Sequence, residues 1–108
     1  MPILLDNNVP RGLARALTGH VVTEARERGW ATLQNGDLLR VAEEAGFDVL
    51  VTADKNIRYQ QNLEVRKIAI VVLTQLRWGL VRRMSVEIAA AVNAATPGSF
   101  AEVEIPFQ

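Results

Sequence analysis

The stretch ILLDNNVPRGLARAL, residues 3–17, decides how the rest of the chain is read. Three apolar residues, Ile3 to Leu5, run straight into Asp6, Asn7 and Asn8, and a helix-like stretch opens at Pro10. A short apolar run of this kind suits a strand buried on both faces of a parallel sheet, and proline is tolerated in a first helical turn. The carboxylate and two amides between strand and helix are poor packing groups. They are good groups for holding a ligand at the end of a strand.

Outward from that stretch, short apolar runs alternate with helical patterns, the signature of βαβ units. Leu13, Ala14, Ala16 and Leu17 supply the first helix, and Gly19 suits its stop. Val21 to Thr23 reads as a second strand, followed by a loop around Gly29 and Trp30. Asn35 can cap a helix bearing Leu38, Leu39, Ala42 and Ala45, which Gly46 ends. Val49 to Thr52 and Ile68 to Leu73 read as the third and fourth strands. An alanine-rich helix covers Ser85 to Ala95 and stops at Thr96, Pro97 and Gly98. In the last segment Ala101, Val103, Ile105 and Phe107 alternate with Glu102, Glu104 and Pro106, as in a half-exposed strand near an edge. The pattern predicts an α/β fold with a mostly parallel sheet of roughly five strands.

The 108 residues form one domain, 1–108, with no internal repeat or linker. Twelve basic residues balance twelve acidic ones, so no global field steers the chain toward nucleic acid and only local patches can. The absence of cysteine excludes a disulfide framework, a thiolate nucleophile and a cysteine metal site. No signal-peptide pattern and no apolar run near the roughly 20 residues of a membrane span are present, which points to the cytoplasm and to no membrane partner.

In a doubly wound sheet of order 2-1-3-4-5, ligands bind outside the carboxyl ends of the strands where the order reverses. Asp6 ends the first strand, Asp54 follows the third, and Asp37 opens the helix that leads back into the third. Three carboxylates distant in sequence can therefore converge on one crevice. Hard oxygen ligands there suit Mg²⁺ or Mn²⁺, which keep several waters and activate one of them toward a phosphodiester. The bland alternatives are local: Asp6 satisfying a turn, Asp37 complementing a helix dipole, Asp54 capping a turn. Glu43 and Glu44 read as a solvated helix face, and the lone His20 as structural or exposed rather than as a base. Trp30 fits a buried position, a lid or a dimer surface equally well.

Two segments carry cations among aromatics. KNIRYQQNLEVRK, residues 55–67, contributes Lys55, Arg58 and Tyr59, with Arg66 and Lys67 behind them; LRWGLVRR, residues 76–83, contributes Arg77, Trp78, Arg82 and Arg83. Charges that meet phosphates beside rings that stack on bases suit single-stranded RNA. The competing reading is a solubilising surface or a protein interface.

The stretches LLDNNVPRGLARAL, NGDLLRVAEEAG and DVLVTADKNIRY, in this order and spacing, resemble the small bacterial PIN-like proteins of the DUF5615 group, relatives of PIN-domain nucleases. The likeness covers about residues 3–73. It implies a three-layer α/β/α PIN-like fold, an acidic cluster, and a nuclease acting as the toxin of a toxin–antitoxin pair. A homodimer and a small antitoxin protein would be its protein partners. The matching positions that keep a carboxylate are Asp6, Asp37 and Asp54, which the resemblance makes both catalytic and metal-ligating. Members commonly read Asp-Glu-Asn at Asp6-Asn7-Asn8 and Asp-Lys-Asp at Asp54-Lys55-Asn56. Asn7 and Asn56 can still offer neutral oxygens to a metal, at the loss of one negative charge each.

Three functional readings follow. The first is a Mg- or Mn-dependent endoribonuclease of PIN type. The second is a non-catalytic PIN-like module that binds RNA or protein with a degenerate acidic site. The third, a phosphoacceptor domain built on Asp54, is disfavoured because Asn7 stands where a second carboxylate is needed and no lysine ends the fifth strand.

Overall fold

The computed structural model describes residues 1–33, 35–55, 57 and 66–107, and the backbone alone of Asn35. Asn56, Arg58 and Tyr59 lie outside the described residues. Among the described residues five strands form one sheet: β1 (Pro2–Leu5), β2 (Val21–Glu24), β3 (Val49–Thr52), β4 (Ala69–Leu73) and β5 (Phe100–Val103). Their order is β2-β1-β3-β4-β5, and every neighbouring pair is parallel. The α-helices whose bounds fall among the described residues are α1 (Asn35–Glu44), α2 (Trp78–Val81) and α3 (Ser85–Asn93). No helix among the described residues is long and apolar enough to cross a membrane.

The period of two along each strand sorts the core into two layers. Ile3, Leu5, Val49, Val51, Ala69, Val71 and Leu73 face one side, where they pack with Leu13, Leu17, Leu80, Val81, Ile88 and Val92. Leu4, Leu50, Ile70 and Val72 face the other, against Leu38, Leu39 and Ala42 of α1 and against Phe47. Burial on both faces explains why β3 and β4 read as continuous apolar runs rather than alternating ones. The α/β/α layering follows directly.

The link from β1 to β2 departs from the predicted α-helix. It is a 3₁₀ turn over Arg11–Ala16, entered through extended Pro10. A parallel neighbour must start again at the far end of the sheet, about 13 Å back for four residues. Six residues of 3₁₀-helix rise about 12 Å, against about 9 Å for an α-helix, so the tighter coil covers more of the return. The predicted loop near Gly29 likewise contains a 3₁₀ turn, Ala25–Arg28, closed by the Glu24 N–H donating to Glu27 Oε1 at 3.0 Å. Gly29 follows it at φ 79°, the left-handed region where a side chain would be strained.

At the far edge, β5 ends at Val103, earlier than the alternation suggests. Val103 and Ile105 are buried as predicted, but Phe107 is 78 % exposed. Beyond the strand, the Ile105 N–H donates to Thr74 Oγ1 at 2.8 Å.

Two polar residues have structural roles. His20 Nε2 lies 2.6 Å from Asn93 Oδ1 and joins the approach to β2 to the end of α3. Glu43 is not a solvated helix residue. Its Oε2 accepts the Lys67 N–H at 2.6 Å and that of Ile68 at 3.4 Å, while Arg66 Nη1 reaches Oε1 at 3.4 Å. Partial burial pushes the Glu43 carboxyl up, but those N–H groups and the Arg66 guanidinium together outweigh it and hold the carboxyl below its ordinary range.

A depressed folded-state value means that the carboxylate stabilises the fold above its unfolded value and stops doing so as pH falls through the folded one. Glu43→Gln should therefore cost about 1 kcal/mol near neutral pH, a discounted figure for a charged hydrogen-bond group that is partly solvated. Wild type and variant should converge in stability once pH drops well below about 4.5. Urea midpoints across that window check it, and a gap that persists at acid pH would assign the loss to packing instead.

Candidate functional site

The ladder between β1 and β3 pairs Leu5 with Val51 and runs one bond further, the Asp6 N–H donating to the Val51 carbonyl at 2.9 Å. That bond carries Asp6 to the carboxyl edge beside Thr52. There the chain turns, the Val9 N–H donating to the Asp6 carbonyl at 3.0 Å. The order β2-β1-β3-β4-β5 reverses at this pair, so the crevice between their ends is the switch point.

A cavity of about 260 Å³ occupies the crevice, lined by Asp6, Asn8, Val9, Thr52, Ala53, Asp54 and Leu76. Asp6 is held at both carboxylate oxygens. Oδ1 accepts the Asn7 N–H at 2.7 Å, and Oδ2 accepts the Thr52 hydroxyl at 2.7 Å. Thr52 Oγ1 in turn accepts the Asp54 N–H at 3.2 Å. A single buried hydroxyl thus links the carboxylate of one strand to the backbone of the next acidic residue. Sequence reading overlooked Thr52, although a polar residue closing the run VLVT just before Ala53 and Asp54 was a usable signal.

Asp6 and Asp54 therefore share one cleft. Asp37 does not line it; it stands exposed in the first turn of α1. The reason lies in the packing of α1. Leu38, Leu39 and Ala42 bury against the sheet, which turns the residue before Leu38 toward solvent. Among the described residues no group of three or more histidines and carboxylates is placed to hold a metal ion.

Asn7 is engaged in a different way from a simple ligand. Its Nδ2 donates to the carbonyls of Trp30 and Ala31, both at 3.2 Å, and its own carbonyl accepts Arg26 Nη2 at 3.2 Å. Its Oδ1 is buried with no hydrogen-bond donor among the described residues. The amide ties the Trp30 loop to the edge beside Asp6. Trp30 itself is half-buried in an edge-to-face contact with Phe47 at 6.1 Å, with the Arg28 guanidinium 5.0 Å from its ring centre.

The cationic residues divide. Lys55 is exposed and lines a second cavity of about 570 Å³ with Thr74, Glu102, Glu104, Ile105, Pro106 and Phe107, a lining that mixes its positive charge with two glutamates. Arg77 and Trp78 are exposed immediately after Leu76, which lines the acidic cleft.

The tie at Asn7 makes a specific expectation. Asn7→Glu removes both donors to the Trp30 loop and sets a second carboxylate against Asp6. It should cost about 2 kcal/mol, given about 1 kcal/mol per lost hydrogen bond, and millimolar Mn²⁺ should not restore the loss. Chemical denaturation with and without Mn²⁺ reads both. A variant as stable as wild type once Mn²⁺ is present would instead mark position 7 as a vacated ligand site. No family model, curated protein or solved structure matches this chain.

Proposed function

We propose that the chain is a PIN-like, Mg²⁺- or Mn²⁺-dependent ribonuclease working at the Asp6–Asp54 cleft. The observation that carries this reading is the placement of two carboxylates in one cavity at the switch point of a parallel sheet. The donor set fits a hydrated hard cation rather than a closed protein cage. Mg²⁺ retains several waters and requires only one or two carboxylates besides the substrate's phosphates. Asp6 and Asp54 would hold it; Asn7 Oδ1, with no donor among the described residues, adjoins Asp6 in the chain but is not among the residues lining the cavity. A bound divalent ion supplies Lewis acidity and an activated water.

The protein's own contribution is orientation. Hydrogen bonds from the Asn7 N–H and the Thr52 hydroxyl fix the Asp6 carboxylate before any ligand arrives, as outer partners of metal-binding carboxylates do. Val9 and Leu76 give the cleft an apolar flank against which a substrate can exclude water. A toxin role with a small antitoxin as partner extends this reading and rests on the family resemblance alone.

A second reading, a non-catalytic module that binds RNA or protein, is favoured by one observation. Both amide hydrogens of Asn7 serve the fold, at a position where the resembled proteins carry a glutamate.

Mn²⁺ separates the two. At tenfold excess over its dissociation constant a bound ion stabilises by about 1.4 kcal/mol, which in a domain of this size is a melting shift of roughly 6 °C. Asp6→Ala and Asp54→Ala should each abolish the shift and the Mn²⁺-dependent cleavage of an unstructured RNA. A melting temperature unchanged across millimolar Mn²⁺, with no cleavage, would overturn the nuclease and favour the non-catalytic reading.

A further inference from the structure

Trp78 opens α2 and keeps 40 % of its surface exposed. It is nevertheless pinned. Its six-membered ring rests against Gly12, and a methyl group in place of a Gly12 hydrogen would come within 2.7 Å of Cζ2 and 2.8 Å of Cη2. Carbon atoms in contact sit at about 3.5–4.0 Å, so only glycine leaves room for the ring. One side of the indole is therefore set by the 3₁₀ turn after β1, while part of the ring stays open to solvent.

The chain connects this ring to the acidic cleft from both sides. Leu76 lines the cleft two residues before Trp78, and Val9 lines it three residues before Gly12. Arg77 and Arg11, the chain neighbours of the contacting pair, are both exposed. Arg11 is 82 % exposed and lies 3.9 Å from Glu24, a separation that binds weakly in water. Arg82 and Arg83 follow just past α2, also exposed. Among the described residues Arg77, Arg82 and Arg83 form no ion pair. A fixed ring among solvated guanidiniums matches the two chemical parts of a single strand, whose unpaired bases stack while its phosphates meet cations. A protein partner would call for a contiguous apolar patch. The other exposed large apolar side chains, Val21, Val86 and Phe107, stand on three different segments.

We propose that Trp78, seated on Gly12, is the stacking subsite for one unpaired base of a single-stranded RNA whose backbone passes Arg77 and Arg11 toward the Asp6–Asp54 cleft. The choice of RNA rests on the function proposed above, but the subsite requires neither metal nor cleavage.

The test is the binding of a short, dye-labelled oligoadenylate to the whole protein in low salt with EDTA, its affinity read by the anisotropy of the dye and the state of Trp78 by tryptophan fluorescence in a Trp30→Phe background. Binding should quench Trp78. Trp78→Ala should weaken affinity about tenfold or more, the scale of one stacked base, whereas Trp78→Phe should retain most of it. Gly12→Ala should weaken it too by displacing the ring. A ligand-side control covers any misfolding of these variants: an abasic strand of the same length should bind the unaltered protein about tenfold more weakly. Equal affinity for abasic and adenylate strands, equal affinity in a folded Trp78→Ala, absence of binding, or equal competition by polyglutamate would each overturn the subsite. The last result would indicate an acidic protein partner. The function proposed above fails separately: RNA that binds through its bases but is never cut with Mn²⁺ sinks the nuclease and leaves the subsite. Cleavage that persists with base-independent binding does the reverse.

Discussion

The pairing of β1 with β3 is the constraint on which the remainder of the molecule depends. Ile3, Leu4, Leu5, Val49, Leu50 and Val51 have no measurable exposure, so over these positions the two strands bury apolar side chains on both faces. Helical elements must cover both sides, and every connection must return to the same starting edge. The strands that flank the pair, β2 and β4, lie on opposite sides of it. The chain leaving β1 and the chain leaving β3 therefore diverge, and a crevice opens between them. The bond from the Asp6 N–H to the Val51 carbonyl extends the ladder to the floor of that crevice. Polar chemistry begins where the ladder stops.

The cleft gains its order from groups that are not themselves acidic. Thr52 is 1 % exposed, and its hydroxyl can be buried there because it donates to Asp6 and accepts from the Asp54 backbone. An unsatisfied hydroxyl at that depth would cost on the order of 1–3 kcal/mol. Asn7 plays the corresponding part on the other flank, where its amide fastens the Trp30 loop. A glutamate there could accept hydrogen bonds but not donate them, so the two side chains are not interchangeable in this fold. The asparagine beside Asp6 thus fastens the Trp30 loop to the edge of the sheet.

The fold itself was legible because apolar periodicity is a local property. Val49–Thr52 and the run to Leu73 could be recognised as doubly buried strands, and the alternation of elements implied a parallel sheet, in which the order 2-1-3-4-5 would make β1 and β3 neighbours. The structure has that order, and the adjacency brings Asp6 and Asp54 to one cleft. Helix type was less legible: the residues from Arg11 to Ala16 suit an α-helix by composition, and the length of the return path selects the 3₁₀ form. Glu43 was misread for a related reason. Its position on a helix says which face it occupies, but not that the Lys67 and Ile68 N–H groups approach that face from a segment more than twenty residues away.

The sequence by itself determined the α/β class and the mostly parallel sheet, since strand period and the alternation of elements suffice for both; Asp6 and Asp54 meet only because β1 and β3 are neighbours, an order the tertiary structure supplies. Only the tertiary structure decided which residues join them. Asp37 faces solvent because Leu38, Leu39 and Ala42 set the rotation of α1 on the sheet. Thr52 links the acidic pair because the β1–β3 register carries Asp6 beside it. Trp78 is held in place because a glycine sixty-six positions earlier leaves space for its ring. Each of these outcomes depends on the packing of segments remote in sequence, and no pattern along the chain encodes the angle or depth at which they meet.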